Sequence, residues 1–196
     1  MDITQIKGYT KSLIIKVWPI SDLSLDLVVN LIEVENYKKG DLFIDKGKKN
    51  NKEYFLFQGV CRSFLHSPEG GEVTISYFLE GGVLSPHKTR TFDKISRLNF
   101  QALTDLTVAS MDADAFEDLM IHYVDIREFG NTVLQQELHI KVEKEIGLAS
   151  LNAKERLIQF REKYHFLENL ISHVDIASYL GITNISLSRL RKDLMK

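Results

Sequence analysis

Residues 174–194 read V-D-I-A-S-Y-L-G-I-T-N-I-S-L-S-R-L-R-K-D-L, and few backbones satisfy that pattern. Ile176, Ala177 and Leu180 share the inner face of one short helix, with Ala177 small enough for close approach. Gly181 stands where a tight turn needs a residue at positive φ, and Ile182 fills the corner after it. Thr183 or Asn184 can cap a second helix, on which Leu187, Leu190 and Leu194 fall at three- and four-residue spacing and point back at the first. The segment predicts a helix-turn-helix over roughly Ser172 to Lys196, its second helix spanning about 183–195.

With the leucines inward, Asn184, Ile185, Ser188, Arg189 and Lys192 face outward, where such a helix meets a major groove. Arg189 has the two-donor geometry that matches a guanine edge, Asn184 suits adenine, and Ile185 offers apolar contact to a thymine methyl. These three, with Ser188, are the expected base readers. Ser172, Thr183, Ser186, Arg191 and Lys192 are the expected phosphate contacts. The competing reading of Arg189, Arg191 and Lys192 is a solvated helix end whose charges suit the helix dipole. The whole chain has a formal charge of −2, yet from Ala153 onward eight basic residues (Lys154, Arg156, Arg161, Lys163, Arg189, Arg191, Lys192, Lys196) stand against five acidic ones (Glu155, Glu162, Glu168, Asp175, Asp193). A local basic excess is what phosphate binding requires.

Upstream the pattern is of another kind. Between Tyr37 and Val83, glycines punctuate short runs rich in β-branched and aromatic residues: Leu42 to Ile44, Tyr54 to Phe57, Val60 to Leu65 and Val73 to Leu79. Ser67-Pro68-Glu69-Gly70-Gly71 carries hairpin chemistry, and a further strand pair is expected near Leu98 to Leu103 and Leu106 to Met111. This is the signature of a small antiparallel β-roll. From Asp112 the periodicity turns helical. Asp114 is the expected cap of a helix at Ala115 to His122, and a proline-free helix follows from about Asp125 to Leu148. Ile126, Val133 and Ile140 recur there every seven residues, with Phe129 beside them. That stripe fits either packing on the β-domain or a dimer seam, and a helix of ~24 residues, about 36 Å long, outreaches a roll of this size. A break at Ser150-Leu151-Asn152 precedes a helix at Ala153 to Lys163. The expected division is 1–124 β-roll domain, 125–150 dimerisation helix and 151–196 helix-turn-helix domain, an α+β fold ending in a winged-helix-like helix-turn-helix.

Cys61 is the single cysteine, which rules out an internal disulfide and fits a buried strand residue better than a redox sensor. The first eighteen residues carry Asp2, Lys7, Lys11 and Lys16, and no run approaches the ~18 apolar residues of a membrane helix, so a cytoplasmic location is expected. Metal-dependent catalysis on such a roll needs converging ligands; His66 and His87 are isolated, so neither an enzyme nor a resident metal or other cofactor is expected.

Ile176-Ala177-Ser178-Tyr179-Leu180-Gly181-Ile182-Thr183 followed by Ser186-Leu187-Ser188-Arg189-Leu190-Arg191 closely resembles the terminal motif of the Crp/Fnr regulators. Lys39-Gly40-Asp41, Gly47, Tyr54-Phe55-Leu56-Phe57, Gly59, Gly71-Glu72, Phe78-Leu79-Glu80-Gly81 and Gln101-Ala102-Leu103-Thr104-Asp105 follow the β-roll pattern of that family in order. The resemblance implies a homodimer paired through long central helices, a sensor roll, a roughly palindromic double-stranded DNA site and RNA polymerase as a further partner. It departs from the nucleotide-binding members at two places. Leu84-Ser85-Pro86 stands where they carry Phe-Gly-Glu, and Ser96-Arg97-Leu98 sets Arg97 one residue out of register for the phosphate-pairing arginine, which turns a strand side chain to the opposite face. Binding of a cyclic nucleotide by the usual contacts is therefore not expected. His87, Lys88, Arg90 and Arg97, with Lys94 nearby, are the candidate pocket for another small-molecule effector, or else a solvated loop. The rival to the regulator reading is an effector-binding or assembly module whose terminal motif serves packing alone.

Overall fold

The computed structural model describes residues 2–194. Helices α1 (Ile3–Val17) and α2 (Asp22–Asn30) open the chain. Nine strands follow with one short helix among them: β1 (Glu33–Tyr37), β2 (Leu42–Ile44), β3 (Lys52–Gln58), β4 (Val60–His66), β5 (Glu72–Leu79), α3 (His87–Arg90), β6 (Thr91–Phe92), β7 (Ile95–Ser96), β8 (Asn99–Ala102) and β9 (Leu106–Asp112). Then come α4 (Ala113–His122), α5 (Val124–Ser150), α6 (Ala153–Lys163), a 3-10 turn at Leu167–Asn169, α7 (His173–Tyr179) and α8 (Asn184–Asp193). The strands form sheets of order β1-β9-β3 and β2-β8-β4-β5, with β6 and β7 as a separate pair. The chain divides into two compact units, one running through Arg62 and resuming over Tyr77–Leu138, the other made of Ser63–Ser76 and the chain from His139.

In the first unit β3 is buried on both faces, which explains its unbroken apolar run. Tyr54 and Leu56 turn into the roll with Ile44, Cys61, Phe100 and Val108, while Phe55, one residue out of phase, joins Ala109 and Met111 in a second core. Cys61 is fully buried there, and burial pushes its thiol pKa up. The second core is roofed by helices, through Ile6 and Ile14 of α1, Val28 of α2, Phe116 of α4 and Ile126 and Phe129 of α5. Gly59 makes the β3–β4 turn at φ +97°, where a Cβ would stand 2.3 Å from the Asp105 carbonyl oxygen; no other residue fits.

Several expectations change. The first thirty residues hold two helices that the sequence reading did not assign. Their signals are Ser21, which caps α2 by accepting from Ser24 N, and the spacing of Ile6, Leu13 and Val17. Helix α4 begins two residues earlier than expected, because Asp112 is its cap in place of Asp114 and accepts from Ala115 N at 2.9 Å. The compact units divide inside α5, after Leu138, and the tip of the β4–β5 hairpin groups with the C-terminal half. No strand follows Asp112 among the described residues. The connection between α6 and α7 is the 3-10 turn, with no β-wing there among the described residues. Ile126 and Phe129 are 0% and 2% exposed within their own unit, Phe129 lying 6.3 Å centroid to centroid from both Phe55 and Phe116. They are core residues and are not free to meet a second copy. Val133 is half-buried against the same core, and Ile140 is exposed.

In the second unit, α6 starts with a full capping box between Asn152 and Glu155. Leu157, Phe160, Leu167, Ile176, Ala177, Leu180 and Leu187 are its buried residues, and the rings of Phe160, Tyr164 and Tyr179 meet pairwise, Tyr164 and Tyr179 edge to face and both at a tilt to Phe160.

Candidate nucleic-acid interface

The turn between α7 and α8 forms as its sequence requires. Ser172 caps α7 by accepting from Asp175 N at 3.1 Å. At the other end Gly181 takes φ +66°, and the Ile182 amide reaches back to the Ala177 carbonyl at 3.0 Å, the six-to-one bond that closes a helix on a left-handed residue. Thr183 then caps α8 by accepting from Ser186 N at 3.1 Å. Because the cap fixes the phase of α8, Leu187 goes inward at 1% exposed while Asn184, Ile185, Ser188, Arg189 and Lys192 all face out. Ile185 is 67% exposed. The outer face of α8 therefore carries one amide, one hydroxyl, one branched apolar side chain and two cations on a single stripe.

The residues expected at phosphates divide. Ser172 and Thr183 are exposed but already accept as caps, which leaves their hydroxyl hydrogens to donate, and Ser186 Oγ lies 2.9 Å from Thr183 Oγ1. Lys192 is exposed. Arg191 is committed elsewhere: its Nε pairs with Glu168 Oε1 at 3.0 Å and its guanidinium meets His173 Nε2. Glu168 also takes a two-pronged contact from Arg161 at 2.8 and 2.9 Å, and that hydrogen bonding holds its carboxyl below the usual range. Glu168, which the sequence reading passed over, is thus the acid that ties α6, the 3-10 turn and α8 together. Met195 and Lys196, at the end of the expected second helix, lie outside the described residues.

A half-buried lysine lies against Tyr179 of α7. Lys144 Nζ donates to the carbonyls of Ile75 at 2.6 Å and Thr74 at 3.2 Å and lies 3.9 Å from the centroid of the Tyr179 ring. Thr74 N donates in turn to Ser178 Oγ at 2.9 Å, and Lys141 to Ser76 Oγ. Burial, reinforced by the charges of Lys141 and Lys163, pushes Lys144 down to about 7.

Of the four candidate effector residues, His87 and Lys88 line one cavity, and Arg90 and Arg97 do not. Arg90 is 1% exposed and works as internal stitching, its guanidinium donating to the carbonyls of Ser85 and Lys52 and to Asn50 Oδ1, with the Tyr54 and Phe100 rings 5.3 and 5.8 Å away. His87 is buried with its ring on the Asn50 carbonyl, Lys88 pairs with Glu117 at the surface, and Arg97 is exposed. At the other slot Leu84 is fully buried and Ser85 Oγ donates to Glu137 at 2.5 Å. No grouping of three or more acids, histidines or cysteines suited to a metal occurs among the described residues, and none of their helices is long and apolar enough to cross a membrane.

Comparison with known proteins agrees with this geometry. Residues 34–123 match the family model of the cyclic nucleotide-binding domain. No curated protein shows significant similarity to the sequence. Among solved structures, FixK2 from Bradyrhizobium japonicum superposes with a TM-score of 0.72 at 20% identity over 84% of each chain. A putative transcriptional regulator of the Crp/Fnr family from Eubacterium rectale gives 0.73 at 14% identity, over 92% of this chain and 88% of that one. The c-di-GMP responsive regulator CLP from Xanthomonas campestris gives 0.70 at 13%, over 89% and 92%. At such identities the likeness is one of fold.

Proposed function

We propose that this chain, which belongs through residues 34–123 to the cyclic nucleotide-binding domain family and has the fold of the Crp/Fnr regulators, is a dimeric transcription regulator that reads duplex DNA with α8. The observation that carries the proposal is the outer stripe of α8, where Asn184, Ile185, Ser188, Arg189 and Lys192 are exposed opposite a buried Leu187. A motif kept for packing alone has no use for an exposed isoleucine flanked by an amide and an arginine. A major groove has a use for each, since it presents a methyl group and two-acceptor edges side by side. Thr183 caps the N-terminal turn of α8, the part of such a helix that contacts base edges.

Two-fold reading needs a second copy. The surface of α5 that remains after Ile126 and Phe129 are spent on the core is a row of Leu134, Leu138, Val142 and Ile146, four residues apart and each at least 42% exposed. That row is the dimer seam in this proposal. The sensor does not take a cyclic nucleotide by the family's usual contacts, because Ser85 faces Glu137, Arg97 points to solvent and Arg90 is sealed inside. Cyclic AMP titrated calorimetrically is expected to give no micromolar affinity.

The test of DNA reading is selection from random duplexes followed by mobility shifts at several salt concentrations. The expected result is an enriched, two-fold symmetric site whose affinity falls steeply with salt. No enrichment, with equal binding to every duplex, overturns the proposal in favour of an assembly module.

A further inference from the structure

A cavity of about 250 Å³ lies in the first unit, on the helix-facing side of β3. Its walls include Phe55, Met111, Phe116, Met120 and Phe129, and its polar lining consists of His87, Asn131, the paired Lys88 and Glu117, and the carboxylate of Glu53. The strand pleat puts Glu53 on the same face as Phe55, against the apolar second core, and a carboxylate there is costly to desolvate unless it is partnered. Among the described residues its hydrogen-bond partner is a single backbone N–H, that of His87, shared by both oxygens at 2.9 Å. An ionised carboxylate has about four acceptor sites, so most of its capacity remains open to the cavity.

The charged groups around it do not complete that capacity. From α3, the Arg90 guanidinium bonds Ser85, Asn50 and Lys52 and reaches Glu53 through its charge alone, and Lys88 of the lining is paired with Glu117 of α4. Burial, then the charge of Arg90, pushes His87 down, which keeps it neutral. The lining contributed by α5 and β9 carries no charge. The geometry points to a ligand site: we propose that this cavity binds a small primary amine with an apolar body, its ammonium group seated on Glu53. Size restricts the class further. Cavities of roughly 150 Å³ admit benzene and drug-sized pockets begin near about 300 Å³, so the ligand is a one- or two-ring or short-chain alkyl amine, smaller than a nucleotide.

Burial pushes Glu53 up to about 7, which gives binding a characteristic pH dependence. An ammonium ligand needs the carboxylate ionised, so below that value a proton must leave as the ligand enters, and affinity rises with pH across neutrality. The proposal adds a ligand to the sensor of the regulator proposed above, and its test uses no DNA. A chain that binds the amine and no duplex removes only the regulator reading, and the converse result removes only this one.

The experiment is calorimetric titration of the full chain with 2-phenylethylamine, and with 3-phenylpropionate as the probe of opposite charge, at about pH 6 and pH 8. The expected result is saturable binding of one amine per chain, tighter at pH 8, with no binding of the carboxylate. Glu53→Gln keeps the shape and is expected to weaken the amine about tenfold or more, the size of a lost charged hydrogen bond. Ala113→Leu, which adds bulk to the cavity wall, is expected to abolish binding with the carboxylate untouched, and decides the matter if Glu53→Gln does not fold. Equal affinity for both probes, an unchanged constant in Glu53→Gln, or no heat at millimolar amine overturns the proposal. So does binding confined to monomeric protein, which would show that a second copy fills the cavity.

Discussion

Arg189 and Lys192 are both exposed cations on α8, one turn apart, and the proposal gives them different work. An arginine on a base edge discriminates, so Arg189→Ala is expected to cost ~1–3 kcal/mol per half-site and to relax preference at one operator position. A phosphate contact carries no sequence information. Lys192→Ala is therefore expected to weaken all duplexes alike and lower the salt slope by about one per half-site. Site selection with affinities at two salt concentrations separates the two; if Arg189→Ala keeps the wild-type preference, the reading face is wrongly assigned. Lys144 makes a prediction about stability. An unfolded lysine titrates near ~10.4, whereas burial holds Lys144 near about 7. Between those values the unfolded chain binds the extra proton, so this group's contribution to stability rises with pH from about 7 toward 10, and below 7 the buried charge weighs in full. Lys144→Met removes the titration. The Tm of wild type minus that of the variant is expected to increase from pH 6 to pH 9, and an identical difference at both would show that Lys144 keeps its proton throughout.

At the scale of elements, α5 shows what a hydrophobic repeat conveys and what it leaves open. The seven-residue recurrence of Ile126, Val133 and Ile140 correctly announced a long helix, but periodicity gives the phase of a face and not its partner. The first turns of that face are used inside the chain, where Phe129 meets Phe55 and Phe116, and the surface left for a second copy is the row from Leu134 to Ile146. The two sets respond differently to substitution. Phe129→Ala removes a buried ring from the core beside the cavity and is expected to cost about 3–5 kcal/mol of stability by denaturant unfolding. Leu138→Glu removes no buried contact from its own unit, where Leu138 is 61% exposed, and is expected to leave the fold intact while sedimentation reports a monomer. The helix-turn-helix was legible almost residue by residue, because its determinants are local: a left-handed glycine, two hydroxyl caps and leucines at helical spacing. The buried Arg90, the Glu53 cavity and the Arg191–Glu168 pair were not, since each depends on residues at least twenty positions apart in sequence, which no local pattern records.

For the whole molecule, the strands were read because their turns and alternation are local, and the N-terminal helices were missed because their value lies in roofing a core built from residues about a hundred positions later. The same separation of scales governs DNA binding. One α8 offers a few base contacts and a handful of phosphates, enough for the weak, salt-sensitive association typical of a single reading head. Two heads on one dimer bind as a tethered pair, and the second engagement then proceeds at an effective concentration that can reach the millimolar range. If the row on α5 is what joins them, Leu138→Glu should reduce affinity for the selected site by roughly a hundredfold or more, although its nearest exposed reading residue lies over forty positions away. A single half-site should be bound equally by both forms. The measurement is a mobility shift with full-length and half-length duplexes, wild type against variant, at one salt concentration. Loss confined to the full-length duplex ties recognition to the α5 seam. Equal affinity of the two proteins for the full site would show that the heads act independently, and the dimer would then have to be sought on another face.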